Sequence, residues 1–543
     1  FEREHVILST LIGLPVLGAV LAALFPREKA GKTITLLASF TTFVFSLLLY
    51  TRFDAANGGF QFQELEPLVP RFSINYSLGL DGLSLWLILL TTFVTPLVVL
   101  GSFGMISKNV RGFYACLLLL ESSVIGTLAA TDIFLFYVFW ELMLIPAFFL
   151  IGVWGGPNRV KGTVKFVLFT MAGSLLMLVA LLYVTHEVKS FDYTKIFEYS
   201  FPEDVQFWCF LAFALAFFIK VPLFPFHGWL PDAYTEAPAG GTVMLSAVLV
   251  KLGAYGLLRF CIPLFPEAAK AFAPWIMVLA VAGVVHGALM AVLQTDFKRL
   301  TAYSSLSHMG LITLGIFTFS LTGLQGGMIQ MIGHGVYMAG LFLLIGMLYQ
   351  RRESHEMDAY GGIAKATPLL AAAFLWMILS AAGFPGFAGF VGEILILTSA
   401  YKAWALPALV AIAGFMLSAW YLFNLYGKVF FGTEKSNRQD AKPFDKAQGG
   451  TPSGKSSGKN TGMEKQKNIF DLSWSEGLAL LPLALAALWI GLNADFFMAP
   501  VEKTLQMKII EKLKPPPVMM DFAAQQRRLQ DEIESNKKTK KAH

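Results

Sequence analysis

About fourteen runs of roughly 20 mainly apolar residues follow one another along this chain, and a helix needs about that length to cross a bilayer. They lie near 6–25, 33–51, 83–104, 113–130, 132–152, 163–185, 206–225, 243–262, 274–294, 301–320, 325–349, 368–399, 403–431 and 476–497. The runs lack strict two-residue alternation, which excludes a closed barrel. The fold expected is an all-α polytopic membrane protein with about 14 transmembrane helices. Composition agrees: 56% of residues are hydrophobic and 14% are charged, against roughly 25% charged in soluble domains. A soluble multidomain enzyme, a disordered scaffold and a disulfide-stapled secreted protein are thereby excluded. The first run lacks a small-residue cleavage signature, so it reads as a span rather than a signal peptide.

The formal net charge is +6. Much of it sits in the Gly/Ser/Lys-rich segment 432–470 and the tail 498–543, leaving the apolar body close to neutral. Nothing offers nucleic acid a basic face. Cys116, Cys209 and Cys261 each stand alone in an apolar run, so no metal, haem or iron–sulfur spacing is present. No Gly-rich phosphate loop occurs either. With fourteen spans, the odd-numbered connections carry thirteen Lys and Arg against eight on the even side, once 432–470 and the tail are set aside. That excess puts the odd connections in the cytoplasm and both termini outside. The segment 432–470 then reads as a cytoplasmic flexible loop. The tail opens with a short amphipathic stretch before Pro515, Pro516 and Pro517, and reads as a solvated or surface-lying segment or as a docking segment for a neighbour.

The informative residues are ionisable ones inside the spans: Glu121, Glu141, Lys220, Lys251, His286, His308, His334 and Glu393. Even low estimates put an Asp, Lys or Arg at mid-span about 2.5–3.5 kcal/mol uphill. A lone Lys near a span end can snorkel, and a lone Glu can be a neutral packing residue. A set of acids, lysines and histidines on separate spans is better explained as a polar path through the bilayer.

The backbone points the same way. Pro222 and Pro225 follow Lys220, and Gly383, Pro385, Gly386 and Gly389 precede Glu393. Proline removes a donor and opens the helix, so spans seven and twelve should be broken. They are five spans apart, and an odd offset inverts orientation, as in two inverted five-helix repeats. Broken segments matched between repeats mark a mid-membrane transport site. The resulting division is 1–112 for helices one to three and an external loop, 113–262 for the first repeat and 274–431 for the second. The loop 432–470, helix fourteen at 476–497 and the charged tail 498–543 complete it.

Three stretches, FYVFWELMLIP, IKVPLFPFHGWLPDAYTEAPAGGTVMLSAVLVKLGAYGLLRF and ALMAVLQTDFKRLTAYSSLSHMGLI, resemble the antiporter-like membrane subunits of complex I, NADH:quinone oxidoreductase. The resemblance covers nearly all of 1–500. It implies that Glu141 pairs with Lys220, that Lys251 is the central lysine, and that His308 and His334 lead to a terminal Glu393. NuoL-like and Mrp-type chains generally carry Lys where Glu393 stands. No family role falls on Glu121. The insertion 432–470 and the charged tail depart from the family pattern. The resemblance further implies proton translocation by a non-redox subunit of a bacterial inner membrane, with termini in the periplasm. NuoL-like and NuoN-like neighbours would flank it. NADH, FMN, iron–sulfur clusters and quinone would belong to partner subunits, with no cofactor in this chain.

In that setting two unit charges about 4 Å apart interact by roughly 4 kcal/mol at an effective dielectric of 20. Glu141 close to Lys220 would hold the proton on the amine, and Glu141 moved away would let it leave. A lateral relay through Lys251 and the histidines would then reach Glu393. The rival readings are an Mrp-type Na⁺/H⁺ antiporter subunit, a membrane enzyme using His227 and Asp232 as a base pair, and a membrane scaffold. The last leaves the buried charges unexplained.

Overall fold

Hydrocarbon offers a backbone no partner but itself, so each apolar run closes its hydrogen bonds as a helix. The computed structural model describes residues 6–432 and 470–514. The loop 432–470, apart from its end residues, and the tail beyond 514 lie outside the described residues.

The chain opens with α1 (Ile7–Leu24) and α2 (Glu28–Arg52). A two-stranded antiparallel hairpin follows, β1 (Gln61–Val69) and β2 (Ile74–Leu80), with Glu64 opposite Leu78. Next come α3 (Gly82–Gly101), α4 (Val110–Ala129), the pair α5 (Ile133–Leu142) and α6 (Leu144–Trp154), and α7 (Arg159–Val188). Short α8 (Tyr193–Glu198) leads to α9 (Glu203–Lys220), α10 (Leu230–Glu236) and the long helix α11 (Ala239–Leu264). The second half holds α12 (Pro266–Val292), α13 (Phe297–Ile316), α14 (Leu321–Arg352), α15 (Pro368–Ala381) and α16 (Ala388–Ala403). It ends with α17 (Ala405–Phe431), α18 (Trp474–Leu492) and α19 (Ala494–Leu505), whose helical turns run on to Leu513.

Among the described residues, eleven helices are long and apolar enough to cross a membrane, counting α5 and α6 as one. The runs read at 206–225, 301–320 and 368–399 fall outside that set, on α9, on α13 and on the α15–α16 pair. Their polar content is the reason. Helix α9 begins with Glu203 and Asp204 and ends on Lys220; α13 carries Ser304, Ser305, Ser307 and His308. The third run is cut in two between Ala381 and Ala388.

Helices α11 and α14 are buried throughout their apolar windows, whereas α2, α7 and α17 bury well under half of theirs. Leu37 and Phe40 on α2, Leu168 and Val179 on α7 and Trp420 on α17 are exposed, as lipid-facing side chains are. The two central helices therefore sit in protein, and that is where a span can carry charge.

On the hairpin side, Asp81 caps α3 by accepting from the N–H groups of Leu83 and Ser84. Its two oxygens also receive Arg259 of α11, at 2.6 Å each, and Lys508, at 2.8 Å. The buried face of α19 runs Phe497, Val501, Thr504, Leu505, Lys508 and Ile509, a helical period with a lysine in it. Lys508 also lies 3.4 Å from the ring centroid of Phe60. The amphipathic opening of the tail thus docks on its own chain. Gly82 admits this contact, because a Cβ there would collide with the Pro500 carbonyl. Burial alone would raise the Asp81 carboxyl, but Arg259 and Lys508 outweigh it and hold it well below the usual carboxylate range. Burial pulls Lys508 down to about 8, and Asp81 opposes that pull.

Asp81→Asn leaves Arg259 buried without a counter-charge, which costs about 3–5 kcal/mol. Thermal unfolding of the purified assembly should show this loss, and limited proteolysis should cut near α19 first. A carboxylate held low stabilises above its unfolded value of 3.8 and stops doing so as pH falls through its folded value. Below the range in which Lys508 titrates, the gap between wild type and variant should accordingly stay constant down to about pH 4 and close only in stronger acid.

Candidate functional site

Glu141 is half-buried, one residue from the end of α5, where Met143 separates α5 from α6. Lys220 is the last residue of α9 and fully buried. The expected ion pair between them is not closed. The Lys220 Nζ has no hydrogen-bond partner; it stands 5.2 Å from the ring centroid of Trp140 and 5.7 Å from that of Phe166. Aromatic faces hold a cation without pairing it, and Trp140 is the residue beside Glu141. The break after Lys220 is stitched locally. The Leu223 N–H donates to the Phe218 carbonyl at 2.8 Å, and the Trp229 indole takes the Ile219 carbonyl, also at 2.8 Å.

Lys251 occupies a short α-helical stretch of α11, Val250–Gly256, between two π-helical segments, Met244–Leu249 and Leu257–Cys261. Such wide turns recur at functional sites. Its Nζ donates to the Ser246 carbonyl in the first of them and lies 2.6 Å from His334 Nδ1. The other ring nitrogen, Nε2, is 3.2 Å from the Ser305 hydroxyl.

From there the file continues on α13, α14 and α16. The rings of His334 and His308 stand edge to face with centroids 5.7 Å apart. His308 Nδ1 is 3.0 Å from the Tyr337 hydroxyl. The Gln330 amide donates to Tyr337 Oη at 3.3 Å and to Glu393 Oε1 at 3.1 Å. All of these side chains are buried, and His308 Nε2, Gln330 Oε1 and Glu393 Oε2 lack partners. Of the six residues singled out for the relay, Lys251, His308, His334 and Glu393 therefore join one file. Glu141 and Lys220 form a separate pair of neighbours.

Glu393 owes its position to the break before it. Gly383 has φ +66°, a left-handed conformation, and a Cβ on it would collide with the Glu393 carboxylate. The chain between α15 and α16 thus folds back over the acid.

Two members were not singled out from the sequence. Gln330 and Tyr337 bracket His334 on α14, and the positions 330, 334 and 337 make an i, i+4, i+7 stripe on one helix face. A polar stripe at that period in an apolar run is the signal that marks them. The carboxamide has a consequence for transfer. Gln330 donates both bonds, and an amide does not give up its proton, so in this geometry the step from Tyr337 to Glu393 is closed. His227 and Asp232 do not form a base pair. His227 Nε2 faces His286 Nε2 at 3.1 Å, and Asp232 pairs with Lys165 at 2.8 Å and Arg299 at 3.3 Å.

A membrane bundle whose central helices hold a buried file of lysine, histidine, tyrosine and glutamate belongs to the class of ion-translocating membrane subunits. Comparison with known proteins narrows the class. Residues 130–419 match the model of the NADH:quinone oxidoreductase/Mrp antiporter membrane region. Residues 10–127 match the amino terminus of NADH-ubiquinone oxidoreductase chain 4. NADH-quinone oxidoreductase subunit M of Rickettsia prowazekii is 38% identical over 79% of this chain and 89% of its own length. A chain of respiratory complex I from Thermus thermophilus superposes with a TM-score of 0.80, at 33% identity, over 94% of this chain and 100% of that one. A chain of the Mrp complex from Dietzia, at 22% identity and TM-score 0.77 over 93% of this chain and 52% of that one, shares the fold. The chain belongs to the NADH:quinone oxidoreductase/Mrp antiporter family, on its subunit M and chain 4 branch.

Gly383→Ala forces a side chain into the left-handed region and against Glu393. Backbone strain of this kind costs about 1–3 kcal/mol. The variant should lower the thermal midpoint of the purified assembly, whereas Gly427→Ala, with open space around its Cβ position, should leave it unchanged.

Proposed function

We propose that this chain moves protons across a bacterial inner membrane as a non-redox, membrane-arm subunit of NADH:quinone oxidoreductase. The observation that carries the reading is the file Lys251, His334, His308, Tyr337, Gln330 and Glu393, buried in the central helices. Glu141 and Lys220 are the switch that loads it. Trp140 and Phe166 hold the Lys220 ammonium while Glu141 is away; approach of the carboxylate holds the proton on the amine. Withdrawal lets the proton leave toward Lys251.

Lys251 passes its proton to His334 Nδ1, which the 2.6 Å contact allows directly. Histidine suits the next steps because its unperturbed pKa near 6.5 lets it accept and release near neutral pH. His308 and the Tyr337 hydroxyl carry the proton to the Gln330 amide, which must swing aside before Glu393 receives it. Gln330 is thus the gate between relay and exit. Glu393 releases the proton on the far side, by way of the broken stretch between α15 and α16.

The driving energy comes from NADH oxidation and quinone reduction in partner subunits, which would hold the FMN, iron–sulfur clusters and quinone. NuoL-like and NuoN-like chains are the neighbours we assign, with both termini in the periplasm. The Mrp-type Na⁺/H⁺ antiporter reading gains nothing from the site, where Glu393 stands in place of a lysine.

Proton pumping by the whole complex in sealed vesicles, normalised to NADH oxidation, tests the assignment. Glu141→Gln and Glu393→Gln should each lower pumping at least about ten-fold, the effect of roughly 1.4 kcal/mol on the rate-limiting transfer. Wild-type pumping in either variant would remove that residue from the path. Lys220→Arg should fail to restore function, because a guanidinium keeps its proton. Tyr337→Phe keeps the ring and deletes the hydroxyl. It should slow pumping while the complex assembles normally on native gels.

A further inference from the structure

Glu121 is buried at the middle of α4 with both carboxylate oxygens unpartnered, and the relay makes no use of it. It is not alone. Ser102 Oγ, at the C-terminal cap of α3, and Tyr114 Oη, on α4, are also buried without partners. Helices α3 and α4 run antiparallel and pack together. Thr91, Thr95 and Ser102 share one side of α3, and Tyr114, Glu121 and Leu128 share one side of α4, at the helical period. Thr95 is the side-chain neighbour of Glu121. Ser102 and Phe113, the residue next to Tyr114, meet over Gly240.

At the other end of this seam is a small cavity. It has about 10 Å³ of room, roughly what one water needs, and is lined by Thr91, Val124, Leu128, Val248 and Lys251 among others. Lys251 thus reaches His334 through its Nζ and also contributes to the wall of the cavity at the head of the α3–α4 seam. From Ser102 to Thr91 is eleven residues of helix, about 16 Å. That is half of the roughly 30 Å hydrocarbon core, so the seam runs from the 102–109 connection to mid-membrane.

We propose that the α3–α4 seam is a second proton inlet, which delivers protons to Lys251 through Tyr114 and Glu121 without passing Lys220. The inference rests on the Lys251-to-Glu393 relay proposed above. Lys251 first gives its proton to His334 and becomes a neutral amine. The O–H bond of protonated Glu121 then breaks, and an N–H bond forms on Lys251. The hydroxyls of Thr95 and Thr91, which rest on the Thr91 and Leu87 carbonyls, turn in succession, and they and one water in the cavity each accept one proton and pass one on. The Glu121 carboxylate regains a proton from water that reaches it past Ser102 and Tyr114. Charge and atoms balance with no co-reactant. Val98 lies between Thr95 and Ser102 on the same side of α3 and leaves an apolar step of about 10 Å. Water must enter to cross it, so the inlet conducts only when the seam is wetted. Buried polar groups are normally satisfied; a seam with four unsatisfied oxygens in a row of residues is built for transient water.

The test uses the intact complex in sealed vesicles, with pumped protons counted per NADH oxidised. Glu121→Gln should lower the ratio two-fold or more, and Glu121→Asp should recover part of it. Thr91→Val and Tyr114→Phe, which remove single hydroxyls with little change of volume, should each lower it as well. Infrared difference spectra add a readout that packing would not move. The carboxylic C=O band that disappears in Glu121→Gln should change during turnover of the wild type. A silent band together with wild-type ratios in Glu121→Gln, Thr91→Val and Tyr114→Phe overturns the proposal. If Glu121→Gln fails to assemble, the two hydroxyl variants decide. Normal pumping in Glu393→Gln would instead sink the relay itself. A blocked Glu393→Gln beside unaffected seam variants would sink the inlet alone.

Discussion

A backbone in hydrocarbon must satisfy its own polar groups, and the departures from regular helix beside the ionisable residues of the spans obey that constraint. Mid-span, a helix can open where protein surrounds it. The openings occur after Lys220, between α15 and α16, at Met143 beside Glu141, and in the two π-helical segments that flank Lys251. Each sits next to an ionisable residue. The freed groups are taken up nearby, by the Trp229 indole at the first opening and by the Lys251 ammonium on the Ser246 carbonyl. Irregular backbone and buried charge are thus two aspects of one arrangement.

The same constraint accounts for the spread of the buried polar file over several helices. A row of charges on a lipid-facing helix such as α2 or α7 would meet hydrocarbon over part of its circumference. Distributed over α9, α11, α14 and α16, each charge meets the buried centre of the bundle. The histidines and Tyr337 bridge the intervals. The polar groups do not form one continuous chain of hydrogen bonds: His334 and His308 meet only ring to ring, with His308 Nε2 unpartnered. Lys220 rests on aromatic faces without its carboxylate, and Gln330 bonds both of its neighbours while having no proton to give.

Much of this was legible in the sequence, and for identifiable reasons. Apolar length showed the spans, and Pro and Gly showed the breaks at 222–225 and 383–389. The energetic cost of charge at mid-span singled out Lys220, Lys251 and Glu393. Neutral polar residues carry no such signal. Gln330 and Tyr337 pass as ordinary members of an apolar helix until their spacing from His334 is counted. Contacts between distant segments were hidden as well. Nothing local to Lys508 says that it pairs with Asp81, more than 400 positions away, because that pairing depends on how the last helix lies against the first ones. The state of the Glu141–Lys220 pair was equally hidden, since sequence shows which charges attract and not how far apart they are held.

The Asp81 cluster has a mechanical side. It clamps Arg259 at the far end of α11, while Thr242 hydrogen-bonds back to Tyr234, Ala237 and Pro238 at the near end. Lys298 braces the same corner through the carbonyls of Thr235 and Ala237. The helix that bears Lys251 is therefore a beam held at both ends, one clamp falling within the second wide turn itself, which leaves Met244–Leu249 as its unclamped wide turn. With Lys251 Nζ only 2.6 Å from His334 Nδ1, a displacement smaller than a bond length at that turn is enough to change whether the amine reaches the ring.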